Sequence, residues 1–84
     1  MKYTLNDLYI DLNIFEDDYK EFRKDFKKHA KEVVKEINKN ENLIPCFESD
    51  LQREMDFLEE INCKMEIYKN IDGVILYKKI SMEA

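Results

Sequence analysis

Residues 15–39, FEDDYKEFRKDFKKHAKEVVKEINK, decide the fold. Phe15, Tyr19, Phe22, Phe26, Ala30, Val33 and Ile37 recur every three or four residues, which is one apolar face of an α-helix. Asn13 is placed to cap this helix, with Glu16 three residues on returning a hydrogen bond to the cap. Glu16, Asp17 and Asp18 then occupy the first turn, while Lys31, Lys35 and Lys39 lie toward the other end, an order that complements the helix dipole. Asn38 and Asn40 mark the stop. At ~1.5 Å per residue the segment would reach roughly 37 Å, whereas a compact chain of this length has a radius of gyration of only ~12 Å. The helix is therefore broken, or the molecule is elongated, or a second chain covers the overhang.

Outward from that segment, the chain before it admits two readings. Leu5, Leu8, Tyr9 and Leu12 fit a short helix opened by Thr4 with Asp7 three residues later. Leu8, Ile10, Leu12 and Ile14 alternate as in a half-buried strand. The capping signature favours the helix, while a strand would supply a third partner for the hairpin described next.

Beyond the long helix, residues 40–48 contain the single proline, Pro45, and read as the connection that turns the chain back. A second helix is expected from Ser49, with Gln52 closing a capping box and Leu51, Met55, Leu58 and Ile61 along one side. Two antiparallel helices sharing Phe22, Phe26, Val33, Leu51, Met55 and Leu58 would make the main core. From Lys64 the pattern becomes β: Met65–Lys69 and Val74–Ile80 flank Asn70-Ile71-Asp72-Gly73. A type I turn with a Gly bulge would bring Glu66 opposite Lys78, and a two-residue type I′ turn at Asp72-Gly73 would bring it opposite Lys79. The expected fold class is α+β: one domain over residues 1–84, two main helices, a C-terminal β-hairpin, and a short helix or third strand at the N-terminus.

Composition narrows the chemistry. The only glycine, Gly73, is used by the hairpin turn, which leaves none for a P-loop or a dinucleotide fingerprint. The only histidine, His29, borders the apolar face of the long helix, with Asp25 one turn earlier and Glu32 three residues later. A metal site or catalytic dyad there competes with the plainer reading of a boundary histidine whose ring nitrogen is satisfied. Cys46 and Cys63 form no CxxC and read as reduced core residues. Nothing resembles a signal peptide, and the longest apolar runs, Leu43–Phe47 and Val74–Tyr77, are too short to span a membrane. A cytoplasmic, non-enzymatic protein without cofactor or metal is expected.

Charge carries the most information. The chain has a net charge of −5, and residues 48–63 alone hold Glu48, Asp50, Glu54, Asp56, Glu59 and Glu60 against Arg53. On the long helix Lys20, Lys24, Lys27, Lys31 and Lys35 fall within a band about 80° wide, beside Glu21, Asp25, Glu32 and Glu36. A solvated surface explains both features. A sharper expectation is that the acidic segment meets a basic protein surface, competing with the phosphate backbone of that protein's nucleic acid. In size and charge the chain resembles small inhibitors carried by phages and mobile elements, including anti-CRISPR proteins and nuclease inhibitors; no motif adds to that resemblance. Two other readings stand beside it: a structural or regulatory homodimer built on the long helix with Val34 and Tyr19 near the seam, and weak nucleic-acid binding through the lysine band. The second is opposed by the net charge and by lysine's poorer grip on bases.

Overall fold

The computed structural model describes residues 2–14 and 16–82, the side chains of residues 16–19 excepted. Helix α1 (Leu5–Asp11) precedes α2 (Glu16–Lys39), strand β1 (Ile44–Phe47), a single 3₁₀ turn (Glu48–Asp50), α3 (Leu51–Glu60), β2 (Cys63–Ile71) and β3 (Val74–Ser81). The fold is α+β with a C-terminal β-hairpin. The three strands form an antiparallel sheet in the order β1-β3-β2.

Residues 2–14 take the helical alternative. The backbone N–H of Asp7 donates to Thr4 Oγ1 (3.2 Å) and that of Thr4 to Asp7 Oδ2 (2.9 Å), so the capping box is complete. The end of α1 corrects the expectation for Asn13. Its φ of +58° is left-handed, unlike the extended backbone of an N-cap, and the Asn13 and Ile14 N–H groups donate to the carbonyls of Ile10 (3.1 Å) and Tyr9 (2.9 Å). This is the paired closure of a Schellman motif, so Asn13 ends α1 instead of starting α2. The expected contributions of Phe15, Glu16, Asp17, Asp18 and Tyr19 lie outside the described residues.

Helix α2 runs unbroken to Lys39, and the chain measures 44 × 26 × 21 Å. Of the three ways to house so long a helix, the molecule is elongated. At the helix end the Asn38 side chain behaves like a peptide group toward Tyr3, accepting from its N–H (2.8 Å) and donating to its carbonyl (3.0 Å). That pair ties the start of the chain to the end of α2.

The third strand comes from the segment expected to be a connection. Pro45 lies within β1, where a missing N–H is tolerated because β1 is an edge strand. The expected helix-on-helix core is also corrected. Val74 and Leu76 of β3 pack with Leu8, Leu12, Ile14, Phe26, Ala30 and Val33, whereas Ile75 and Tyr77 pack with Cys46 and Leu58. Helices α1 and α2 therefore cover one face of the sheet and α3 the other. The central strand β3 is buried on both sides over Val74–Tyr77, the position a continuous apolar run suits.

The hairpin combines features of both expected turns. Asp72 (φ +46°) and Gly73 (φ +91°) form a two-residue loop of the I′ kind, with Ile71 opposite Val74. An extra residue, Tyr68, then bulges between Ile67 and Lys69, and Glu66 faces Lys78 after all. The bulge, not the turn, sets the register of the outer half of β2.

Candidate functional site

Among the described residues helix α3 is the only α-helix on its face of the sheet, and its amphipathic pattern decides which of its carboxylates look outward. Leu51 and Leu58 point to the sheet, as the 3.6-residue period requires. Its start departs from expectation: the helix follows the 3₁₀ turn, no side chain caps it, and the Gln52 amide donates instead to Asp56 Oδ1 (3.0 Å).

The six predicted acidic residues divide into two groups. Glu48 accepts from Asn70 Nδ2 (3.5 Å), Asp50 pairs with Arg53 (3.0 Å), and Glu54 accepts from the buried Tyr77 hydroxyl (3.3 Å). Glu48 and Glu54 hold the 3₁₀ turn and α3 to the sheet, while the Asp50–Arg53 pair, three residues apart, joins the 3₁₀ turn to the start of α3. Glu54 also acts on its surroundings. Burial first, then the Glu54 carboxylate, pushes the Tyr77 hydroxyl well above its usual range, and burial with the Glu54 and Asp50 charges pushes the Cys46 thiol up to about 11. Asp56, which accepts only from Gln52 of its own helix, and Glu59 and Glu60 face solvent, and among the described residues none of the six carboxylates is paired with a lysine. The exposed anionic surface is therefore Asp56, Glu59 and Glu60, carried on the outer side of one helix.

Apolar side chains flank it. Phe57 is 55% exposed, Ile61 45% and Met55 43%, although the periodicity had placed Met55 and Ile61 on the buried side. A sheet face covered by one short helix leaves that helix's flanks open. Phe57 and Ile61 lie on one flank. On the other, Met55, Cys63, Met65 and Met82 line a groove of about 320 Å³ between α3 and β2, with Asp56 and Glu59 at its edge. Neither Cys63 nor the methionines were singled out as a group by sequence, because they come from three elements.

Lys20, Lys24, Lys27, Lys31 and Lys35 are all exposed on α2, on the opposite side of the sheet, and none has an ion pair among the described residues. The expected seam residue Val34 packs against the core beneath α2, so it is not spare surface. His29 is oriented by a different acid than expected: its Nδ1 meets Asp72 Oδ2 at 2.5 Å, which joins α2 to the hairpin turn, while Asp25 has no part in the pair. No cluster of three His, Cys, Asp or Glu side chains suited to a metal occurs among the described residues. No helix among them is long and apolar enough to cross a membrane.

No protein-family model matches the chain, and neither curated proteins nor solved structures give a significant match.

Proposed function

We propose that the chain is a small non-enzymatic protein-binding module that inhibits or regulates a nucleic-acid-binding protein by occupying its basic surface. The observation that supports this reading is the outer side of α3, where Asp56, Glu59 and Glu60 stand exposed beside Phe57, Ile61 and Met55. Protein interfaces combine desolvated aromatic and Met anchors with a charged rim that selects the partner. A nucleic-acid-binding surface supplies the complementary field, since the Lys and Arg groups that neutralise phosphates pair equally well with carboxylates. The two free thiols suit a reducing, cytoplasmic setting.

Charge separation across the sheet would also orient the encounter. The lysine band on α2 lies beside the acids Glu21, Asp25 and Glu32, whereas α3 exposes Asp56, Glu59 and Glu60 against Arg53 alone on that helix, so a basic partner is drawn more strongly to the α3 side. The test is photo-crosslinking in the native cell from a benzophenone side chain placed at Phe57, compared with one placed at Lys27. The expected result is a basic, nucleic-acid-binding protein attached through position 57 and not through position 27. Attachment mainly through Lys27, or to nucleic acid itself, would favour the lysine band and overturn the reading.

A further inference from the structure

The sheet has two edges, guarded unequally: β2 carries a bulge at Tyr68 and exposed Lys64 and Lys69, but over Cys63–Ile67 it is long and regular. Strand β1 is four residues long and contains Pro45, both devices that stop a further strand from adding. Strand β2 is nine residues long and exposed along most of its length, with Ile67 53% exposed. The Tyr68 bulge divides it and leaves its outer half, Cys63–Ile67, as a regular stretch with an unpaired side. Cys63 and Met65 turn toward α3, where the groove of Met55, Met65 and Met82 opens beside this same stretch. An edge, a soft apolar groove and two carboxylates thus coincide. Methionine suits such a site because its unbranched thioether adapts to different shapes.

We infer that the free edge of β2 over Cys63–Ile67 accepts an extended segment of the basic partner as a fourth strand, with an apolar residue in the Met55–Met65–Met82 groove and flanking Lys or Arg side chains on Asp56 and Glu59. This rests on the functional reading above and names the segment that would dock. Main-chain hydrogen bonds supply affinity in this mode, and alternate side chains entering pockets supply specificity. The groove's own charges, Asp56 and Glu59 against Lys64, together with neighbouring Glu60, leave it anionic. Charge also decides against a second copy as occupant. Antiparallel pairing of two β2 edges would place both α3 helices on the same face of the joined sheet, bringing the Asp56 and Glu59 pairs of the two copies toward one another.

The test is a titration of the isotope-labelled full chain with the acetylated, amidated peptide Thr-Lys-Thr-Leu-Thr-Lys-Thr, whose Lys, Leu and Lys fall on one side of an extended strand. Controls are the same peptide with Glu for Lys, and the Lys peptide methylated on alternate backbone nitrogens. The expected result is amide shifts and slowed hydrogen exchange at Cys63–Ile67, methyl shifts at Met55, Met65 and Met82, and about tenfold weaker binding of the Glu peptide at low salt. The Asp56→Asn, Glu59→Gln double variant should lose most of that discrimination. Shifts on α3 with none along β2, or equal binding of the methylated peptide, would overturn strand addition while leaving the acidic surface as a docking site. Equal binding of the Glu peptide would contradict the basic partner itself. Absence of binding at millimolar peptide, or protection of Cys63–Ile67 that grows with protein concentration alone, would overturn the inference, the latter by making a second copy the occupant.

Discussion

Asn13 shows how one residue can satisfy two sequence patterns while serving only one. It stands three residues before Glu16, as a capping box asks, and also just after the last turn of α1, where Asn and Gly take the left-handed backbone. The second role holds because two N–H groups are satisfied there at once. Replacing it tests the assignment: Asn13→Ala should cost about 1 kcal/mol, because alanine keeps the β-carbon but loses the short polar side chain that lets asparagine tolerate a left-handed backbone, whereas Asn13→Gly should keep or raise stability. Equal loss from both, measured by urea unfolding, would point to a side-chain role instead. The cysteines differ at the same scale. Cys46 is buried and its thiol is raised from 9.0 to about 11, whereas Cys63 is half-buried at the groove, so Cys63 should react first with a thiol-specific reagent at neutral pH. The folded chain keeps the Cys46 proton where the unfolded chain has released it. That contribution to stability is complete below pH 9 and is lost as pH rises from 9 to about 11. Urea midpoints of Cys46→Ala should therefore fall less steeply over this window than those of the parent.

The elements differ in how openly the sequence declared them. Helix α2 was legible because apolar residues repeat with one period across its length, and α1 because Thr4 and Asp7 form a specific cap. Strand β1 was hidden by Pro45, which signals a turn unless the strand lies at an edge. Its signal was the run Leu43–Phe47, and β3 carried the matching signal in Val74–Tyr77; short continuous apolar runs mark strands buried on both faces. Recognising those two runs as partners would have placed a sheet between the helices and removed the helix-on-helix core. The exposed flanks of α3 were illegible for the same reason, since Met55 and Ile61 look buried only if a second helix covers them. The bulge in β2 is also an element-scale feature. Deleting Tyr68 should leave Ile67 opposite Tyr77 and Lys69 opposite Leu76, with every other pair in register, at the loss of one hydrogen bond from Asn40 to the Tyr68 hydroxyl (3.2 Å). The expected cost is about 1 kcal/mol or less. Cross-strand contacts between Glu66 and Tyr77 in place of Lys78, with the bulge re-formed at Ile67, would show that the bulge does not belong to the extra residue.

For the molecule as a whole, one sheet separates two apolar clusters, and sets the lysine band of α2 apart from the exposed acids of α3. Both clusters depend on β3, so Leu76→Ala should destabilise by about 2–5 kcal/mol, while Met55→Ala, at an open groove, should cost far less. Melting temperatures of the two variants check this ordering. The α2 side carries exposed lysines and the α3 side exposed carboxylates, and the acids that remain after internal pairing are fewer than the sequence count suggested. Three of the six are committed to Asn70, Arg53 and Tyr77; the Arg53 pair is local, and the other two contacts are revealed only by the packing on the sheet. Asp56, Glu59 and Glu60 are what a basic partner would meet. The direct measurement is the dissociation constant of the chain and its crosslinked partner, at low and high salt, with and without charge reversal at these three positions. The reversed chain should bind about tenfold more weakly, with less sensitivity to salt and its melting temperature retained. Unchanged affinity in a folded, charge-reversed chain would contradict this expectation.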